Sequence, residues 1–505
     1  MSARRGRRPD AGDVVAGVSV ALVLIPQSLA YATLAGMPPE RGLLASTVPL
    51  LVAAPLASSP YMQTGPVAVT ALLTFGALST LAEPGSDEYV ALGLLLALIV
   101  GLLRLAAGLL RAGVIAYLMS RPMLIGFIPA AATLIVASQL PSALAAGAPD
   151  GGVLERAGWA LVHPASWEPA SVAMSAVVLL AVLGGRTLHP LFPGVLVAVV
   201  TATLYSRLTG YDGPVVGTID GVVPAVSLDL PWSEAAVLLV PGLVIALVGF
   251  AEPASIARSF AAQDREPWDA DREFVSQGAA NVAAGLTGGF PVGGSFSRSS
   301  LNRLAGARTA WSGGITGIVV LALLPAVFLL EDLPVAVLGA IVIAAAFNLI
   351  RMRPIWRTWA QSRPAALIAI GTFAATLAFS PRIERGVLVG VGLSIAVHLW
   401  RELRIDTTVW REGGTLHLRP QGVLWFGAVQ AIEDRILGEL ARQRDADALV
   451  LHLDGVGRLD ITAAIALRAA TDEARRSGVR VSVEGTRPAD RRLVDRVLLA
   501  EEDAP

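Results

Sequence analysis

Long apolar stretches recur almost without pause from Asp13 to Trp400, and a chain patterned in this way cannot fold as a water-soluble globule. In hydrocarbon each backbone N–H and C=O has to be satisfied inside its own segment, so the stretches predict helices. Fourteen candidate spans can be placed, at roughly 13–35, 41–57, 65–81, 89–110, 122–141, 170–185, 190–207, 233–251, 273–289, 295–308, 310–330, 334–350, 364–380 and 383–401. A helix needs about 20 residues to cross a bilayer. The third and tenth spans fall short of that, and their shortness is the first hint of a function.

Composition agrees and excludes several alternatives. Of 505 residues, 54% are hydrophobic and 16% charged, with a mean hydropathy of +0.63, outside the range of soluble domains. A net charge of −1 gives no case for nucleic acid. With no cysteine there are no disulfides or thiolate metal sites, and the five histidines (His163, His189, His398, His417, His452) show no ligand spacing, so no metal and no cofactor is expected. No nucleophile and base stand together, so the chain does not read as an enzyme. The basic head MSARRGRRPD runs into the first apolar stretch without a small-residue cleavage site and reads as a retained cytoplasmic tail.

Every basic side chain is arginine, and the arginines orient the chain, because cytoplasmic loops collect them. With the N-terminus inside, the inner loops receive Arg104, Arg111 and Arg121, then Arg186, then Arg258, Arg265 and Arg272, then Arg351, Arg353, Arg357 and Arg363. The outer connection from Leu208 to Ser233 has no arginine and carries Asp212, Asp220 and Asp229. Arg382 and Arg385, in an outer turn, are the exception. The same long connection divides the spans seven and seven. An odd number per half turns the second half upside down relative to the first, which is an inverted repeat, and the two short spans occupy the same place in each half.

Those short spans begin with SSPYMQTGPVAVTALL (58–73) and GGFPVGGSFSRSS (288–300). Thr64 is expected to cap a helix with Pro66 in its first turn, and Ser295 a helix running through Phe296 and Arg298. Inversion points the two N-termini at each other near the midplane, and each offers free N–H groups and about half a positive charge. With Arg298 in the first turn, the gap is suited to an anion. An arginine at the centre of a span costs about 2.5–3.5 kcal/mol on insertion scales, which favours a functional reason for it. Its expected counter-ion is Glu252 in LVGFAEPASIARSF, where Pro253 interrupts an apolar helix. The equivalent stretch in the first half, LVLIPQSLAYATLAG, offers Gln27, Ser28 and Tyr31 around a break of its own. Glu252, with Glu40 as a secondary candidate, is read as the proton or Na⁺ site, since neutralising it leaves the positive gap uncompensated.

Taken together, IPQSLAYATLAGMPPERGLLASTVP, TGPVAVTALL, FAEPASIARSFA and GGFPVGGSFSRSSLNRLAGARTAWSG resemble the sulfate permease (SulP) family of anion transporters, whose animal members include anion exchangers and prestin. The resemblance covers nearly the whole chain. It implies an α-helical polytopic membrane protein of 14 segments in a 7+7 inverted repeat, with the uracil-transporter fold. The core domain would be about 11–111 and 233–330, the gate about 112–210 and 331–403, with elevator-like exchange of access. Carried over residue by residue, the implied anion site is Gln27 and Tyr31, Gly65, Pro66, Val67 and Ala68, and Ser295, Phe296, Ser297 and Arg298, with Glu252 beside them. Where such proteins commonly have small-small-Arg-His, this chain has Ser58-Ser59-Pro60-Tyr61. The missing basic group weakens the case for doubly charged sulfate and leaves bicarbonate, chloride or a small carboxylate open.

After Arg401 charges crowd in, and strand and helix patterns alternate as in a small α/β domain. Residues 404–505 resemble the cytoplasmic STAS domain that SulP proteins carry behind a membrane domain, here 1–403. Thr462, in Asp460-Ile461-Thr462, is a candidate regulatory phosphosite by that resemblance. The expectation is therefore a secondary active anion transporter of the cytoplasmic (inner) membrane, a proton- or Na⁺-coupled symporter, homodimeric by family analogy, with both termini cytoplasmic. A nucleobase carrier of the same fold, or a membrane-anchored STAS regulator, are the alternatives.

Overall fold

A computed structural model describes residues 8–114, 119–189, 192–219, 223–403, 406–425, 427 and 429–498, apart from the side chains at 186 and 188. The basic head before Arg8, the Arg186 side chain and Asp220 lie outside the described residues. The chain divides into two compact units, one through Leu393 and one from Ser394.

The first unit is helical: α1 Ala11–Leu34, α2 Pro39–Leu44, α3 Val48–Leu56, α4 Ala68–Leu78, α5 Asp87–Leu109, α6 Arg121–Leu144, α7 Val153–Val162, α8 Pro169–Leu179, α9 Gly185–Leu188, α10 Gly194–Thr209, α11 Ala235–Asp264, α12 Ala270–Leu286, α13 Phe296–Leu304, α14 Trp311–Leu323, α15 Val335–Phe347, α16 Arg353–Gln361, α17 Arg363–Ala378 and α18 Ile383–Glu402. Among the described residues six helical stretches are long and apolar enough to cross a membrane: Ala11–Leu34, Asp87–Leu109, Arg121–Leu144, Trp232–Asp264, Trp311–Leu330 and Ile383–Glu402. Five shorter apolar helices accompany them. Every expected apolar segment carries helix, with instructive differences. The second is split into α2 and α3, the eighth runs on to Asp264, and the third and tenth hold only 11 and 9 helical residues. The amphipathic helices α7 and α16 have no counterpart among the expected spans, being too short and too polar to register as apolar runs.

Close approach of α5 and α12 centres the unit. A side chain at Gly101 would meet the Val282 backbone nitrogen at 2.5 Å, and one at Gly278 would meet that of Leu105 at 2.6 Å. Without a soluble-type hydrophobic drive in lipid, small residues of this kind let backbones touch and gain dispersion contacts. Neither Pro26 nor Pro253 breaks its helix, contrary to the sequence expectation; α1 and α11 run through them. Neighbouring helices tolerate the lost N–H in a membrane-spanning segment.

The second unit is α/β. Strands β3 Asp406–Glu412, β4 Thr415–Leu424, β5 Ala448–His452, β6 Val456–Leu459 and β7 Arg480–Glu484 form one sheet, antiparallel between β3 and β4 and parallel elsewhere, in the order β3-β4-β5-β7 with β6 beside the far end of β4. Helices α19 Val429–Arg442, α20 Ile461–Arg476 and α21 Arg491–Leu493 complete it. Leu416, Leu418, Leu449 and Leu451 alternate along β4 and β5 and bury against Ile432, Ile436, Ala464 and Leu467 of α19 and α20. Thr415–Leu424 is one continuous strand whose register with β6 shifts after Gly422.

Candidate functional site

Both interrupted stretches of the first unit meet. Thr64–Gly65 (β1) and Gly293–Gly294 (β2) pair antiparallel, Thr64 opposite Gly294 and Gly65 opposite Gly293. Because the two strands run in opposite directions, α4 and α13 leave the ribbon in opposite directions and present their N-termini to it. A valine methyl of Val67, at the start of α4, stands 3.2 Å from where a side chain at Gly293 would be. The breaks are also bonded to each other: Ser295 N–H donates to the Gln63 carbonyl at 3.1 Å, Gln63 N–H to Ser299 Oγ at 3.0 Å, and Asn302 Nδ2 to the Tyr61 carbonyl at 3.1 Å.

Capping differs from the expectation at both ends. Thr64 lies in β1 and its Oγ1 accepts from Gln277 Nε2 at 2.8 Å, so it caps nothing; α4 begins at Ala68 behind Val67 with no side-chain cap, and Pro66 precedes the helix. Ser295 does occupy the N-cap position of α13, but its hydroxyl faces Ser297 Oγ at 3.2 Å and makes no cap bond. The first N–H of α13, that of Phe296, instead donates to Glu252 Oε1 at 3.1 Å. One helix end is thus free of a side-chain partner, and the other carries a carboxylate from α11.

Arg298 is 1% exposed, and Nε, Nη1 and Nη2 are all buried without a hydrogen-bond partner. Its Nη2 stands 3.5 Å from where a Cβ at Gly65 would be, an ordinary contact distance that places the guanidinium against the ribbon. Glu252 and Tyr31 are its electrostatic neighbours. Gln27, on α1, is 4% exposed and its Oε1 also lacks a partner; Tyr31, one turn on, is equally buried. A buried cation with three unsatisfied nitrogens is costly unless something negative satisfies it. Tyr31, Gly65 and Glu252 therefore stand beside Arg298, with Gln27 one turn from Tyr31 on α1, Val67 and Ala68 at the start of α4 and Ser295 to Ser297 at the start of α13. Glu40, half-buried in the first turn of α2, makes no hydrogen bond or ion pair to any of them.

The sequence reading missed what holds the ribbon. Arg104, expected in an inner loop, lies within α5 with no exposure. Its Nε, Nη1 and Nη2 donate to the carbonyls of Ala246, Val292 and Ile245 at 3.1, 2.9 and 3.1 Å. Backbone carbonyls rather than a carboxylate hold it, so it adds a second full charge behind β2. On α12 a buried polar ladder, Glu273, Gln277 and Asn281, grips the ribbon rung by rung. Glu273 Oε2 accepts from Ser58 N and Ser59 N, both at 3.1 Å, and Gln277 takes Thr64. Asn281 Oδ1 accepts from Val292 N at 2.9 Å while its Nδ2 donates to Val292 O at 3.0 Å. Their i, i+4, i+8 spacing was a readable signal in an apolar segment.

In the second unit Thr462 is exposed in the first turn of α20, whose N-cap Asp460 accepts from Ala463 N at 2.7 Å. Among the described residues no group of three or more His, Asp or Glu could hold a metal.

Comparison with known proteins matches these features. A family model described as "Sulfate permease family" matches residues 11–372, and a "STAS domain" model residues 407–503. A Mycobacterium tuberculosis protein named "Probable sulfate transporter" is 36% identical over 396 residues, covering 76% of this chain and 69% of that one. "Sulfate transporter 4.1, chloroplastic" of Arabidopsis thaliana is 31% identical, covering 84% and 66%. Murine Solute Carrier 26 family member A9, an anion transporter solved in the inward-facing state, superposes with a TM-score of 0.89 at 19% identity, over 97% of this chain and 88% of that one. The transmembrane domain of the cyanobacterial bicarbonate transporter BicA gives 0.65 at 25% identity, over 76% and 97%.

Proposed function

Since this chain belongs to the sulfate permease family, and is thus a multi-pass membrane anion transporter with a C-terminal STAS domain, we propose that its anion binds in the gap between the N-termini of α4 and α13. Fourteen segments in a 7+7 inverted repeat then carry the site across the membrane by elevator-like movement of a core (11–111 and 233–330) against a gate (112–210 and 331–403). One observation carries the reading: Arg298, fully buried, holds three unpartnered nitrogens against a ribbon at which two helix N-termini meet. The anion accepts from the guanidinium and from free N–H groups of α4, with Gln27 and Tyr31 lining the approach. Gln27 and Arg298 disfavour a neutral nucleobase, which would call for carboxylates from both halves.

Coupling follows from the position of Glu252. Ionised, it occupies the Phe296 N–H and competes with an arriving anion for the end of α13. Neutralised by H⁺ or Na⁺, it no longer repels that anion, so the two bind together and symport results. Glu40 is a secondary proton-site candidate. Bicarbonate, sulfate, chloride and small carboxylates are the substrate classes; the relatives' names speak for sulfate and bicarbonate. We place the protein in the cytoplasmic membrane as a homodimer with both termini inside, and Thr462 as a phosphosite on the STAS domain.

The test is uptake of labelled sulfate, bicarbonate, chloride and dicarboxylates into proteoliposomes, each with and without an imposed pH or Na⁺ gradient. Arg298→Ala should abolish uptake without changing the size or stability of the purified protein. Normal uptake by that variant would remove the site from this gap.

A further inference from the structure

Helix α16, Arg353–Gln361, joins α15 to α17 and is neither a span nor a loop. Only Ile355 is buried, where the helix packs against α6 and α17. Trp356 and Trp359 are 69% and 45% exposed, and Met352 at the N-cap 36%. Soluble domains rarely leave two indoles of one short helix in water. On a helix turning roughly 100° per residue, Trp359, Met352 and Trp356 follow Ile355 round one flank, within roughly 100° of it. Arg353 and Arg357 stand together on the side away from Ile355. Both are exposed and make no hydrogen bond or ion pair among the described residues. Arg351 and Arg363, at either end, are exposed as well.

Among the described residues no ion pair answers these four arginines. From Leu333 to Ile383 the chain contains neither Asp nor Glu. An apolar flank of tryptophan and methionine beside an unpaired basic flank is the chemistry of a helix lying in a membrane surface, with indoles at headgroup depth and guanidinium groups against phosphates. Charge complementarity selects the occupant, because four arginines without counter-ions favour anionic over zwitterionic headgroups. Arginine's planar fork also suits bidentate phosphate contacts.

We propose that α16 is a docking surface for anionic phospholipid, its tryptophan flank immersed at the interface and Arg353 and Arg357 on lipid phosphates. By tethering the junction of α15 and α17, bound lipid fixes part of the first unit to the bilayer plane. The inference stands on α16 alone and does not depend on where the transported anion binds.

It is tested on the full-length protein reconstituted in phosphatidylcholine vesicles doped with bromine-labelled phosphatidylglycerol or, separately, bromine-labelled phosphatidylcholine. Tryptophan quenching attributable to α16 is the signal lost in Trp356→Phe/Trp359→Phe. That signal should be quenched at lower mole fractions of the phosphatidylglycerol probe, and Arg353→Gln/Arg357→Gln should weaken the preference by about fivefold per arginine removed. Equal quenching by both probes would overturn the headgroup assignment. No quenching by either would show that protein, from this chain or a second copy, covers the face, and would overturn the proposal outright. Because neither variant alters a buried residue, misfolding would not mimic these outcomes, and size-exclusion profiles check that directly.

Discussion

Asn281→Leu isolates what one rung of the α12 ladder does. Leucine keeps the branched heavy-atom skeleton of asparagine with bulkier methyl ends, so the change opens no cavity and adds some crowding. Three hydrogen bonds disappear, but two carbonyls keep other donors: Val292 O retains Arg104 Nη1 at 2.9 Å, and Gln277 O lies inside α12, where the helix supplies its N–H. The Val292 N–H alone is left orphaned in a buried place, having had only Asn281 Oδ1 at 2.9 Å. An unsatisfied buried donor costs about 1–3 kcal/mol. Val292 immediately precedes β2, so the ribbon can either bear that cost in place or shift to find an acceptor. A shift would move Gly293 and Gly294 relative to Thr64 and Gly65 and spoil the register in which Arg298 faces Gly65. Proteoliposome uptake over a range of anion concentrations, with thermal stability followed by size-exclusion chromatography, separates the outcomes. The expected result is a KM raised about tenfold or more, with a folded protein whose melting temperature falls by a few degrees. A variant with unchanged KM and unchanged stability would show that Asn281 does not hold the ribbon.

Arg104→Met should leave the fold intact, since Ile245 O and Ala246 O stay in a helix and Val292 O keeps Asn281, yet anion affinity should fall. At a distance of about 10 Å and an effective dielectric of about 20, the lost charge is worth about 1.7 kcal/mol, somewhat over tenfold in KM. Glu252→Gln keeps an acceptor for the Phe296 N–H and removes the negative charge, so uptake should become independent of the imposed pH or Na⁺ gradient while anion binding at neutral pH tightens; retained gradient dependence would place coupling elsewhere. In the STAS domain, Arg411 holds the Asp445 carboxyl below its usual range through paired bonds of 2.9 and 2.8 Å. That stabilisation is present above the ordinary Asp value and lost as pH falls through the lowered one, so hydrogen exchange in β3 should accelerate toward acid in the parent and lose that acid-side dependence in Asp445→Asn.

What the sequence revealed and what it hid divide along one physical line. Arg298 and the glycine-proline breaks were legible because a charge or a helix breaker in an apolar run is conspicuous by itself. Thr64 was misassigned as a cap, and Ser295, though at the N-cap position, makes no cap bond, because capping rules look at the nearest hydroxyl. In lipid the ribbon's polar groups are satisfied from far along the chain: Thr64 by Gln277, 213 residues away, and Phe296 by Glu252, 44 away. Arg104 was counted as a loop cation for the same reason. Its acceptors lie 141, 142 and 188 residues distant, and only tertiary structure reveals that carbonyls await it. The short amphipathic α16 was invisible to a search for apolar runs, since its meaning lies in which flank is left bare.

An asymmetry now distinguishes the two halves that the repeat would make alike. At α4 the terminal N–H groups have no side-chain cap, whereas at α13 a carboxylate already stands on the first N–H. Identical ends would attract an anion at all times and hold it through both orientations of a carrier, which slows release. If the anion binds as proposed, then with Glu252 in place only the α4 end, Arg298 and the charge of Arg104 would attract it continuously. In the proposed coupling, the α13 end would join when Glu252 is neutralised and withdraw when it ionises again. A helix terminus is worth about 0.3–1 kcal/mol, up to about 2 when partly buried, and repulsion between two unit charges about 5 Å apart adds about 3 kcal/mol at an effective dielectric of about 20. On the proposed coupling, the sum would separate tight from loose anion binding by two or more orders of magnitude, enough for one proton or Na⁺ to decide whether the anion stays.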